Sequence, residues 1–412
     1  MLLHERSLEA VSLVMPTFGV RQRNLISARE LPSPVPPMAA QMLARAEAEA
    51  TEPYTGITVD GTPTGGLFPL RATGASTQSL RAAAQRFLAD LNEAQRQMVG
   101  FALEDPRWQR WSNVHAFIMR HGLLLEDLDS DLQVKALEVM RSAFSERGFA
   151  TARDIMRLNY TIGEITHRWS EYGEWLYWLS IFGQPSLDQP WGWQIDGHHL
   201  NVNCAVLGDQ LVLTPMFMGS EPTLAEAGKY AGTRVFEAEE QLGLALVRSL
   251  NPEQRRVAVL RDSILSTALP AERRPATEGR IQGGALRDNL VLPYEGLPGA
   301  SLTPAQQERL LEVVDVYIGR MQPDHSRIKM DEVRQHLAET HLMWLGGMED
   351  DSVFYYRIHS PVVLIEFDHL RGVALDNDEP ARTHIHTVVR TPNGNDYGRD
   401  LLGQHYARFH QH

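Results

Sequence analysis

The stretch Trp191–Met218, W-G-W-Q-I-D-G-H-H-L-N-V-N-C-A-V-L-G-D-Q-L-V-L-T-P-M-F-M, decides how the fold is read. Its β-branched content, its alternation and the Gly208–Asp209 turn predict a β-hairpin. Side chains in a strand point alternately to opposite faces. His198, Leu200, Val202, Cys204 and Val206 therefore share one face, apolar beyond His198, that suits a core. His199, Asn201, Asn203 and Ala205 share the other. A face bearing an imidazole and two amides, instead of mixed charges, looks like the floor of a polar pocket. A buried hydrogen-bond network without chemistry would give the same pattern.

A second β block lies near the end of the chain. Phe354–Arg357, Val362–His369 and His384–Arg390 read as strands, and Asn393–Gly394 turns the chain into a last helix from about Arg399. Between and before the blocks the texture is helical. Helices are predicted from Ser79 to Leu91, again after Asn92, over Ser130–Arg147 and Ala150–Ser170, and across residues 223–260. Two more are predicted from Pro304 to about Met321 and from Met330 to Leu345. Residues 270–300, rich in Gly, Pro and Arg, read as a long loop, and no repeat of 20–50 residues is evident. Short β blocks are marginal alone. The expected fold is α+β, with an antiparallel sheet built from the two separated β blocks and flanked by many helices. Residues 76–412 are expected to form one domain. Residues 1–75, with P-S-P-V-P-P at Pro32–Pro37 and one short helix at Ala39–Ala50, are expected to be an extended arm or linker, able to join subunits in a homo-oligomer.

Composition limits the partners. The chain has 412 residues, 43% hydrophobic, and a formal net charge of -13 with no Lys/Arg run. A phosphate backbone would be repelled, so nucleic acid is not expected. No apolar run reaches the about 18 residues of a membrane span. The single cysteine, Cys204, excludes an intramolecular disulfide. Glu5 and Glu9 stand where a basic leader should be, so the mildly apolar Ala10–Val20 reads as a tail and the protein as cytoplasmic.

The histidines suggest the chemistry. His384 and His386, at i and i+2, face the same side of their strand and could converge on one ion, neutral imidazole being the commonest metal ligand. Glu366, after an apolar run, is expected to be buried and hence to have a cation, metal or donor beside it. Together with His199, this set matches a zinc hydrolase site or a 2-His-1-carboxylate iron site. The expectation is a metal-dependent hydrolase for a small organic molecule, with zinc placed ahead of iron or manganese. His199, His384, His386 and Glu366 would be ligands, with Glu366 or His199 as base. Asn201 and Asn203 would position substrate, and Trp191 and Trp193 would wall it. The alternatives are an iron oxygenase on the same ligands and a non-catalytic binding protein with a structural polar network. The Glu164/His167 pair has no second copy, and His336 and His341 share no helix face, so neither pair is assigned a role.

The segments Glu174–Gly183, Trp191–Asn203, Gly208–Pro222, Pro361–Asp368 and His384–Gly398 resemble the domain-of-unknown-function 3500 family over roughly residues 78–408. The resemblance implies one domain and points to the same strands, but implies no ligand set. Members often look exported, a feature the N-terminus here does not share.

Overall fold

A computed structural model describes residues 18–31, 33–114, 120–268 and 279–409. The tail expected over Ala10–Val20 falls largely outside the described residues, as does part of the 270–300 loop. No helix among the described residues is long and apolar enough to cross a membrane.

After helix α1 (Pro37–Thr51), the chain runs twice through the same order of elements. In the first pass α2 (Gln78–Asp90) and α3 (Glu93–Val99) lead into strand β1 (Gly100–Phe101), then β2 (Leu123–Leu124), α4 (Ser130–Arg141) and α5 (Glu146–Thr166). A meander follows: β3 (Tyr177–Phe182), β4 (Trp191–Gly197), β5 (Leu200–Leu207), the short β6 (Gln210–Val212) and β7 (Met216–Ser220). The second pass has α6 (Glu237–Ser249), α7 (Pro252–Ala258), β8 (Val259–Arg261), β9 (Leu297–Pro298), α8 (Pro304–Ile318) and α9 (Pro323–Gln335). Its meander is β10 (His341–Gly346), β11 (Phe354–His359), β12 (Leu364–Leu370) and β13 (Ala381–Arg390), before a last helix α10 (Arg399–Phe409).

One 13-stranded sheet contains all of these strands, in the order β1-β3-β4-β5-β7-β13-β12-β11-β10-β8 with β2, β6 and β9 beside it. The order is symmetric about the β7/β13 pair, which is antiparallel. The two halves are thus related by an approximate twofold axis through that seam. Local sequence repeats the relation: L-N-E-A-Q-R at Leu91–Arg96 and L-N-P-E-Q-R at Leu250–Arg255 each start a short helix with Asn92 or Asn251 in a capping box. Each of these helices runs directly into an edge strand.

The expected sheet is corrected here. It is mixed, not purely antiparallel, because β1 pairs with β3 and β8 pairs with β10 in parallel. Nor is it confined to two β blocks: β10 lies where the helix from Met330 was expected to continue to Leu345.

The sheet has two unlike faces. On one, Trp191, Trp193, Leu200, Val202, Cys204, Met218, Ile365, Phe367 and Ile385 join one core with residues of α2, α4, α5, α6, α8 and α9. At roughly 25 cal/mol per Å² of buried apolar area, this layer is the main source of stability. The other face carries Gln194, Asp196, Asn201, Asn203, Phe217, His386, Glu366, Asp368 and Arg357, opposite one another by register. It too is buried. Stretches after each edge strand cover it: Trp108 and Trp111 from the first half and Ile281, Ala285 and Leu286 from the second pack with Phe217, Tyr355 and Val388. The N-terminal stretch lies on the same chain, Arg21 donating its backbone N–H to Ala374 and Arg23 pairing with Glu171.

Candidate metal centre

His199 owes its position to a two-residue turn. β4 and β5 pair up to Gly197 and Leu200, leaving His198 and His199 as the connection. His199 takes a left-handed backbone, φ 63°, a conformation histidine tolerates better than most side chains. Its carbonyl accepts from the Gly219 N–H at 2.8 Å, and its ring stacks on His198 with centroids 3.9 Å apart. His198 in turn contacts the Asn159 Oδ1 of α5 through Nδ1 at 2.7 Å.

β13 crosses beside this turn. His386 lies opposite Gly219 on β7, and His384 is two residues away on the same face. The Nε2 atoms of His384 and His386 are 3.0 Å apart, and those of His386 and His199 are 3.1 Å apart. All three ligand atoms fall within 4.8 Å of one another, and all three residues are buried. A tetrahedral ion with metal–nitrogen bonds of about 2.0–2.1 Å holds its ligand atoms about 3.3 Å apart, close to the two separations that His386 makes. His384 Nδ1 faces the Arg371 carbonyl at 2.8 Å. A carbonyl can only accept, so Nδ1 carries a proton, which leaves Nε2 as the nitrogen that faces the shared point. His386 Nε2 has close nitrogens on two sides, and a single proton there could serve only one of them. A cation between the rings would satisfy all three.

Space for the rings depends on Gly219. A Cβ there would stand 2.9 Å from His386 Cδ2, 3.3 Å from His199 Cδ2 and 2.8 Å from the Ile385 carbonyl. Glu221, just beyond β7, anchors the loop that supplies the Arg371 carbonyl. Its carboxylate accepts the backbone N–H groups of Val373, Ala374 and Leu375 and lies 3.7 Å from His384 Nδ1. Neither residue was singled out from the sequence, although a glycine inside a strand often marks a close approach. The Glu221→Gln variant should weaken metal binding about 10–100-fold while the fold persists, because the carboxylate holds the loop whose carbonyl orients His384. Chelator competition would measure it, and an unchanged affinity would remove Glu221 from the centre.

The other predicted site residues are placed differently. Glu366 is not at the imidazoles. Its carboxylate accepts the backbone N–H groups of Gln282 and Gly283, at 2.8 and 2.7 Å, and the Tyr355 hydroxyl. Among the described residues the group that could hold an ion consists of the three histidines alone, and Glu366 is placed apart from it. Trp191 and Trp193 share a face as expected, but it is the helix-covered one, across the sheet from His386. Asn203 is occupied by Gln194 and the Pro215 carbonyl. Asn201 donates to the Ser112 and Gly197 carbonyls and to Asp196. Nearby, His121 meets Gln194 Oε1 at 2.6 Å, and burial lowers its pKa to about 4, keeping it neutral. A cavity of about 50 Å³ between the apolar face and helices α8 and α9 is separated from the histidines by the sheet itself.

A family model described as a protein of unknown function (DUF3500) matches residues 73–399, which include the three histidines and both halves of the sheet. The chain belongs to the DUF3500 family. No curated protein and no solved structure matches it. In this DUF3500 chain the ligand set is divided, with His199 from the first half and His384 and His386 from the second. The twofold counterpart at the other end of the seam is not armed: Gln210–Ser220 and the Ser360–Val363 turn contain no histidine.

Proposed function

We propose that the protein is a metal-dependent hydrolase acting on a small organic molecule, with His199, His384 and His386 as the protein ligands. The observation that carries this reading is the convergence of three buried imidazole nitrogens from both halves of the sheet. The one-sided arming supports it, since a network needed only for the fold would be expected at both ends of a duplicated sheet. Three protein ligands leave a coordination position open, as catalytic zinc sites do, and an all-imidazole set suits zinc better than magnesium or manganese. When bound, such an ion polarises a carbonyl and lowers the pKa of a coordinated water. The chain contributes a fixed ligand set: the Arg371 carbonyl sets the tautomer of His384, the left-handed turn aims His199, and the covering segments exclude bulk water.

Elemental analysis of protein purified without chelator tests the reading. About one zinc per chain, with hydrolysis in an ester and amide panel that is lost on chelation, is the expected result. Metal content near zero, with no activation by zinc, manganese or iron, would overturn it in favour of a structural polar network.

A further inference from the structure

On the sheet face of the three histidines, two buried side-chain oxygens have no donor among the described residues. Asp196 is 1% exposed and Asn201 0% exposed, and they sit directly opposite each other on β4 and β5. Asp196 Oδ1 accepts from the Ser112 N–H at 3.0 Å and from Asn201 Nδ2. Asp196 Oδ2 and Asn201 Oδ1 have no hydrogen-bond partner among the described residues. Leaving one buried acceptor unmatched costs about 1–3 kcal/mol, and an ionised carboxylate oxygen more, so two side by side call for a donor. Burial alone pushes the Asp196 carboxyl well above the usual carboxylate range.

The pair shares the sheet face of the metal centre. Asn201 lies opposite Phe217, and the Phe217 ring meets His386 with centroids 4.9 Å apart. Phe217 thus links Asn201 to His386 on one face of the sheet. Phe217 stands opposite Asn201, and the ring of Trp111, the residue before Ser112, has its centroid 6.3 Å from that of Phe217. A carboxylate and an amide oxygen, with an aromatic residue opposite them, are the recognition chemistry of an ammonium group, which supplies N–H donors, a charge for the carboxylate and a cation for the ring.

We infer that Asp196 and Asn201 form a subsite for a primary ammonium group, so that the substrate is a small amine whose hydrolysable bond reaches the three imidazoles along the same sheet face, past Phe217. The substrate assignment rests on the hydrolase reading, whereas the subsite stands on its own donors and acceptors.

Calorimetry with three probes of similar size tests it: propylammonium, tetramethylammonium, which lacks N–H donors, and propanol, which lacks charge. Full-length protein is used both metal-free and zinc-loaded, because amines also ligate zinc. Propylammonium should bind about tenfold or more tighter than either other probe in both forms, and Asp196→Asn should remove that advantage with the bound-zinc content unchanged. The ranking in the unaltered protein decides the matter if the variant does not fold. Equal binding of the three probes, or no binding of propylammonium to the metal-free form, would overturn the subsite and leave Asp196 and Asn201 as a closed acid–amide pair. Tight propylammonium binding by a protein that holds no metal would keep the subsite and sink only the hydrolase reading.

Discussion

Replacing His386 by Ala should abolish metal binding, from about one ion per chain to a content near the background of a chelated control. His386 is the ring in the middle, with Nε2 within 3.1 Å of both neighbours. Its loss leaves two nitrogens on opposite sides of the gap, and two ligands rarely retain zinc against buffer. The fold should persist. His386 sits at the end of the seam beside the small Gly219, and its backbone pairing with β7 and β12 does not involve the ring. Near-native circular dichroism with no metal is therefore the outcome sought. Full retention of zinc by the variant would show that the ion sits elsewhere.

Replacing Arg390 by Leu should cost about 3–5 kcal/mol of folding stability, because it strands two buried carboxylates. Arg390 is 0% exposed. Its Nε donates to Asp396 at 2.7 Å, its Nη2 to Asp288 at 2.5 Å and its Nη1 to the Gly283 carbonyl at 2.9 Å. The two aspartates raise the pKa of the guanidinium further, so its charge is permanent. Tyr397 adds its hydroxyl to Asp288, and Trp111 donates to that hydroxyl at 2.9 Å. One guanidinium thus fastens the covering segment of the second half, the C-terminal turn and, through Trp111, the covering segment of the first. Lysine would keep the charge but lose the fork, so Arg390→Lys should recover only part of the loss. Urea denaturation measures it, and a change within about 1 kcal/mol would mean that the aspartates find other partners or water.

The strand faces and the paired histidines were legible because a pleat has a fixed period. Leu200, Val202 and Cys204 could be assigned to a core, and His384 and His386 to one side, without any knowledge of what lay opposite. The edge strands were not legible. Gly100–Phe101 and Val259–Arg261 are too short to alternate and follow helices without a break. H-L-M-W-L-G at His341–Gly346 continued a helical spacing and turned out to be a strand. Glu366 was recognised as a buried carboxylate in need of partners. That those partners are backbone N–H groups of Gln282 and Gly283 is a matter of tertiary placement, which spacing cannot encode. The doubling escaped notice for a different reason. Its copies are 159 positions apart, from Asn92 to Asn251, and share little beyond L-N-x-x-Q-R, so a search for short periods passes over it.

The symmetric seam has a consequence for how the molecule comes together. Neither half contains all three histidines, so an ion held by all three rings would act as a clasp between two similar pieces that are remote in the chain. Its binding energy adds to the docking of one piece on the other and not to the internal order of either. In a cell short of the ion the fold would stand on its shared core while the seam lost that extra tie, so the supply of a trace element would tune the firmness of the midline as well as the chemistry.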